Sequence, residues 1–283
     1  MYETIFLIVL GFLYLIFASW QDLKMREVAN WLNFSLIIFA LIFRAIYSIL
    51  NSNYNFFLYG LFGFGIFVII ANLFYYSRVF AGGDAKLLMG LGAILPLSFG
   101  FYGNFLYLMF FVFLFMLSGS AYSLVYGSVL VFRNYNKFSK EFKKQVYLRK
   151  NFFYISFFFA FLSFVFILVD YAFIVLPFTL FLLPFLFCYA KSIEESCLIK
   201  LINPKDIVIG DWLYKKIRVG KQVLKPDWQG LCEEEVELIK KSRNKILIKY
   251  GVPFVPSFLI AFIFYVWLYC LGIGLIEFLF WII

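Results

Sequence analysis

Long apolar runs parted by short charged links set the terms for this chain. Ile5–Trp20 holds no charged residue, and runs of similar length recur to the end of the sequence. About 20 such residues wound as a helix cross the hydrocarbon of a bilayer. Of the 283 residues, 64% are hydrophobic and 14% are charged, and the mean hydropathy is +0.92. Ordinary soluble domains carry about 25% charge, and a water-soluble fold of this composition would expose wide apolar patches. The reading is an all-α polytopic membrane protein for which the lipid bilayer is the main solvent. The first run has no basic residue before it and no clean small-residue cleavage site after it, so it reads as a permanent span and not as a secretory signal.

Eight spans are expected, at 4–21, 30–50, 56–77, 85–99, 104–132, 152–169, 172–190 and 254–282. The run Phe152–Ala190 is too long for one helix and is split near Asp170, the one charge within it; six or seven spans are the alternatives. Pro177 and Pro184 should kink its second half, with neighbouring helices satisfying the freed carbonyls. The expected organisation is a bundle over 1–132, a basic loop at 133–151, a helical pair at 152–190, a cytoplasmic α+β insertion at 191–252, and a last helix at 253–283. In the insertion, Asp206–Tyr214 and Lys216–Leu224 alternate β-branched residues around Gly210 and Gly220 and read as a small antiparallel unit. Glu233–Lys249 reads as a helix with Val236, Ile239 and Ile246 on one face.

Lys and Arg are retained on the cytoplasmic side of a membrane. With eight spans, every one of the 25 basic residues except Arg44 falls on a single side. The expectation is therefore a multi-pass cell-membrane protein with both termini outside. Arg44, near the outer end of the second span, is expected to snorkel toward the interface. The net charge of +9 is then a topology signal. No compact basic domain stands apart from the membrane, so nucleic acid is not an expected partner.

The chain has no histidine, and none of Cys188, Cys197, Cys232 and Cys270 forms a Cys-x-x-Cys pair. That disfavours zinc sites and removes His-dependent triads. No metal and no cofactor are expected, and catalysis would fall to carboxylates. Only Glu3, Asp22, Glu27, Asp84 and Glu141 precede Asp170. Asp22 and Asp84 each sit at a span end, and two spans between them return both to one face. A carboxylate at such depth is costly unless paired, hydrated or functional. Gly82 and Gly83 are expected to give a tight turn that lets a substrate strand approach Asp84. Asp84 lies at a helix start, where the dipole favours its charged form; Asp22 follows the last turn of a helix, where the dipole and burial favour the protonated form. Two carboxyls in unequal settings suit an aspartic dyad, whose titration splits between the members. Each Asp alone would more simply be a helix cap or a topological charge.

At these positions the sequence resembles the type IV prepilin peptidases, including the archaeal preflagellin peptidases. The residues that carry the resemblance are Asp22-Leu-Lys-Met-Arg26-Glu-Val28-Ala-Asn30-Trp-Leu32 and Ala81-Gly82-Gly83-Asp84-Ala85-Lys86-Leu87-Leu88, with Ala81 where the family's Gly-x-Gly-Asp motif has its first glycine. The stretch Gly251-Val252-Pro253-Phe254-Val255-Pro256 also looks like the archaeal branch. The resemblance implies a membrane aspartic endopeptidase, with Asp22 and Asp84 catalytic, acting at the cytoplasmic face. Its implied partners are pilin or archaellin precursors that carry a short basic leader and an apolar helix. Methyl transfer is not implied, because the cysteine-rich insertion that accompanies it in bacterial members is missing between the first two spans. Arg26 and Lys86 are second-choice functional residues or simply positive-inside anchors. Asn30 is a hydrogen-bonding neighbour of the dyad or a cap of the second helix. The alternatives are a presenilin-like intramembrane protease and a cation- or proton-coupled transporter. The first would want a tyrosine where Gln21 stands, and the second repeat symmetry.

Overall fold

The structure is a computed structural model that describes residues 2–97, 100–219, 222–228, 230–242 and 244–273. In chain order the elements are α1 (Tyr2–Met25), α2 (Asn30–Leu50), α3 (Tyr54–Tyr76), α4 (Gly82–Ile94), α5 (Phe101–Arg133), α6 (Tyr135–Leu148), α7 (Lys150–Ser163), α8 (Val175–Cys197), β1 (Ile199–Ile202), β2 (Trp212–Leu213), β3 (Ile217–Val219), β4 (Gln222–Leu224), α9 (Glu233–Lys240), β5 (Ile246–Lys249) and α10 (Val255–Cys270). Among the described residues, six stretches are long and apolar enough to cross a membrane: α1, α2, α3, α5, α8, and Lys150–Leu168, which is α7 with the 3-10 turn after it. α4 has 13 residues, and α10 is described over 16. The span expected at 85–99 thus ends as helix at Ile94, and its last two residues lie outside the described ones, as does the part of 254–282 beyond 273. The chain is a multi-pass, mainly helical membrane protein with a small strand-bearing insertion. It falls into two units, Met1–Leu124 with Val252–Ile283, and Val125–Gly251.

In the first unit the helices are sorted by what they turn inward. α2 buries Leu32, Asn33, Leu36, Ala40, Arg44 and Ser48 along one stripe. Phe34, Ile38, Ile42 and Ile46 lie exposed on its other side, the surface that suits lipid. In lipid the apolar effect does not drive helices together, so close packing and internal hydrogen bonds must. α3 and α4 meet backbone to backbone through Gly63 and Gly92. A Cβ on Gly63 would lie 2.3 Å from the Gly92 carbonyl oxygen, and one on Gly92 would lie 2.6 Å from that of Gly63.

Arg44 does not snorkel. It is 0% exposed, and its guanidinium donates to the carbonyls of Ala93 (2.8 Å), Ile94 (3.0 Å), Pro96 (2.7 Å) and Phe56 (2.9 Å). Tyr265 and Tyr269 of α10 add bonds to the carbonyls of Leu95 (3.1 Å) and Leu97 (3.0 Å). The physical reason is the short α4. Its final carbonyls lack helical partners, and irregular backbone inside a membrane protein must be satisfied by its neighbours. Gly60 makes room for the Arg44 side chain, since a Cβ there would sit 2.3 Å from Arg44 Cδ.

In the second unit the helix does break around Asp170, between 3-10 turns at Phe164–Leu168 and Tyr171–Ile174. Pro177 falls in the first turn of α8, where a missing N–H costs little, and only Pro184 lies inside the helix. Proline at 184 cannot bond the Leu180 carbonyl, and the Ser156 hydroxyl of α7 donates to that oxygen instead. The insertion holds an antiparallel sheet in the order β1-β5-β2 and a β3-β4 hairpin. The helix expected over Glu233–Lys249 stops at Lys240, and Ile246–Lys249 is a strand paired with Ile199–Ile202. Its alternating burial, with Ile246 and Ile248 inward, follows the period of two that a strand requires. Ile207, Leu213, Val236, Ile239 and Ile248 close a small core of their own, each worth about 1.5–3 kcal/mol when fully buried.

Candidate active site

Asp22 belongs to the last turn of α1, on the face that buries Leu15, Ala18 and Ser19. It is 5% exposed. Its Oδ2 accepts the N–H of Val255, 233 residues away, at 2.9 Å, and the Phe254 N–H is a second donor. Both donors belong to the start of α10, where backbone N–H groups lack partners within the helix and the dipole is positive. The positive start of α10 thus meets the Asp22 carboxyl, a neighbour beyond the α1 dipole and burial from which the sequence expectation was drawn. Arg26 follows α1 with φ of 60°, a left-handed turn that costs a residue with a Cβ about 1–2 kcal/mol. Its N–H bonds the Asp22 carbonyl at 2.8 Å, and its positive charge acts on the Asp22 carboxyl.

Asp84 is the third residue of α4, after the N-cap Ala81. Its carboxyl reaches back toward the Ala81 N–H, as acidic side chains at this position do. The Asp22 carboxyl lies within Coulombic reach of it. The structure thus brings the two acids, 62 positions apart in sequence by their numbers, into one electrostatic site.

The link between α1 and α2 packs on the first turn of α4. Val28 lies 3.5 Å from where a Gly83 Cβ would stand, and the Ala29 N–H bonds Gln21 Oε1 at 2.9 Å. The tight turn expected at Gly82 and Gly83 is absent. Neither glycine has a positive φ, because both are ordinary first-turn residues of α4. Added Cβ atoms there would make only ordinary contacts, the nearest at 3.8 Å for Gly82 and 3.5 Å for Gly83. Asn30 is the first helical residue of α2; the N-cap is Ala29, with no side-chain cap bond. Asn30 Oδ1 instead accepts Lys86 Nζ at 2.7 Å, and that ammonium also lies 5.6 Å from the centre of the Phe34 ring. One turn along α2, Asn33 Nδ2 donates to the Gly83 carbonyl at 3.1 Å. Sequence reasoning passed over Asn33. The available signal was its place beside Leu32 and Leu36 on a stripe that is otherwise buried, where an amide needs a partner.

Residues 9–124, which hold both acids, match the type IV leader peptidase family. The preflagellin peptidase of Methanococcus maripaludis is 31% identical over 133 residues, covering 44% of this chain and 57% of that protein. That of Methanocaldococcus jannaschii is 30% identical over 133 residues, covering 44% and 56%. That of Methanococcus voltae is 33% identical over 87 residues, covering 31% and 37%. The chain thus spans little more than half the length of the first two relatives.

Proposed function

We propose that this chain, whose residues 9–124 match the type IV leader peptidases, is a membrane aspartic endopeptidase that removes short leaders from class III signal-bearing precursors of pilins or archaellins. The observation that carries the reading is the coupling of Asp22 and Asp84 within that matched segment. The match favours neither the presenilin-like protease nor the transporter. The precursor's apolar helix docks among the spans, and its basic leader extends at the cytoplasmic face.

Two carboxyls in one site do not both ionise easily, so one holds a proton. Asp22, with two backbone donors and Arg26 beside it, is the ionised member. Asp84 is the protonated one, which inverts the assignment expected from the sequence. Asp22 removes a proton from a water as its oxygen attacks the scissile carbonyl carbon, and Asp84 gives its hydrogen to the carbonyl oxygen. The tetrahedral diol then collapses. The C–N bond breaks as the leaving nitrogen takes the proton that Asp22 acquired, and one diol hydroxyl returns its hydrogen to Asp84, so the carboxyl product forms and the pair is restored. No covalent link to the enzyme forms. The Asn30–Lys86 bond and Arg26 support the geometry from the second helix and from the end of the first.

A plainer reading makes Asp22 only a tertiary cap for α10. Asp22→Asn separates the two, because an amide oxygen still accepts the Val255 N–H. Asp22→Asn and Asp84→Asn are each expected to fold and to lose at least about 10³-fold in cleavage of a leader-bearing precursor. The measurement is mobility of the precursor on gels of membranes that contain each variant. Cleavage at the wild-type rate by either variant refutes the dyad.

A further inference from the structure

Asn33 lies next to the aspartyl pair and is not explained by the dyad itself. It is 0% exposed, on the face of α2 that meets α4. Its amide orientation is fixed by its partner, since a carbonyl can only accept, so the NH2 group must be the one 3.1 Å from the Gly83 oxygen. The amide is thereby held against the Gly83 carbonyl, and among the described residues its buried Oδ1 has no donor. Ser19, one turn before Asp22 on the same buried face, likewise has a hydroxyl without a partner among the described residues. Buried polar atoms are seldom left so, and each such exception calls for a cause. The simplest donor for Asn33 Oδ1 is an O–H of the reaction itself.

We propose that Asn33 is a positioning residue of the aspartyl pair: its NH2 group holds the Gly83–Asp84 backbone, and its Oδ1 accepts the hydrogen of the protonated Asp84 carboxyl. This deepens the peptidase reading and rests on it. The amide would fix which Asp84 oxygen carries the hydrogen and hold it there until it passes to the scissile carbonyl oxygen. It would also stabilise the protonated form, since an acceptor bonds only the acid and not the carboxylate. The neighbouring Asn30–Lys86 bond ties the same two helix starts at an exposed position, whereas Asn33 works out of water, where a hydrogen bond counts for more.

The test uses the full chain in membranes, a synthetic precursor with a short basic leader followed by an apolar helix, and rates per folded molecule. Asn33→Leu is expected to lower kcat about 10- to 100-fold with KM within about twofold. The alkaline limb of its kcat profile should move to lower pH, because the acid form of Asp84 loses its acceptor. Asn33→Gln, which keeps both polar groups on a longer stem, should recover part of kcat. If the leucine variant does not accumulate, Asn33→Ser replaces it with the same expectations. A folded variant with wild-type kcat and an unmoved alkaline limb overturns the inference, and so does a glutamine variant no better than leucine. Failure of the wild-type chain to cleave the precursor overturns the peptidase reading itself, and the inference with it.

Discussion

Arg44 shows how much a single buried side chain can decide. A guanidinium has five N–H donors in a rigid fork and no acceptor, so it can serve a group of carbonyls that no neutral side chain could. Four carbonyls use it here, three of them from Ala93, Ile94 and Pro96 at the end of α4. Replacing it strands those oxygens at about 1–3 kcal/mol each. Arg44→Met is expected to lower the stability of the purified protein in detergent by about 3 kcal/mol or more, read from its thermal melt. Arg44→Lys should fall between, because one ammonium cannot reach all four oxygens in the same geometry. A melt unchanged by Arg44→Met would remove the clamp as a cause of stability. The sequence displayed Arg44 near a span end, and snorkelling was the natural reading. Three of its four partners lie about 50 residues away, and one-dimensional patterning cannot register a cluster of unsatisfied carbonyls brought there by folding. Asp22 and Asp84 were legible for the opposite reason. Charges are rare in the spans, so any acid at a span end stands out before its environment is known. The roles proposed within the pair draw on something the sequence did not display, because the donors to Asp22 come from α10.

At the level of elements, hydrophobic runs located the long helices well, since length and polarity against lipid are written locally. They fared less well where tertiary bonds substitute for helical ones. α4 stops at Ile94 because Arg44 and two tyrosines accept the burden of its end. β5 forms where a continuing helix was expected, because the pairing of Ile246–Lys249 with Ile199–Ile202 outweighs local helix propensity. α8 tolerates Pro184 because Ser156 covers the Leu180 carbonyl. That bond makes a specific prediction. Ser156→Ala should cost about 0.6–2 kcal/mol of stability. In a Pro184→Ala background, where the helix restores its own bond to Leu180, the same change should cost less. Equal losses in the two backgrounds, measured by thermal unfolding in micelles as a double-mutant cycle, would show that the hydroxyl is not a substitute for the missing N–H.

For the whole molecule, orientation in the membrane is the open quantity, and α2 shows how its helices divide lipid from interior. The bundle face of α2 carries an amide, a guanidinium and a hydroxyl, while its outer face is phenylalanine and isoleucine. The basic links, together with the proposed site, should lie on the cytoplasmic side. Single cysteines placed at Lys24 and Lys144, in a chain freed of its native cysteines, are expected to resist an impermeant thiol reagent in whole cells and to react in opened membranes. A cysteine at Asn53, in the link between α2 and α3, should react in both. Labelling at 24 from the outside would reverse the orientation and with it the placement of the site. The bond from Asp22 to Val255 has a consequence in time as well as in space. A ribosome makes residue 22 long before residue 255, so an emerging polypeptide carries Asp22 through most of translation without the amides that meet its carboxyl. On the proposed reading, proteolytic competence is thereby deferred until α10 is threaded into place, and a product terminated before it would be inert toward neighbouring membrane proteins.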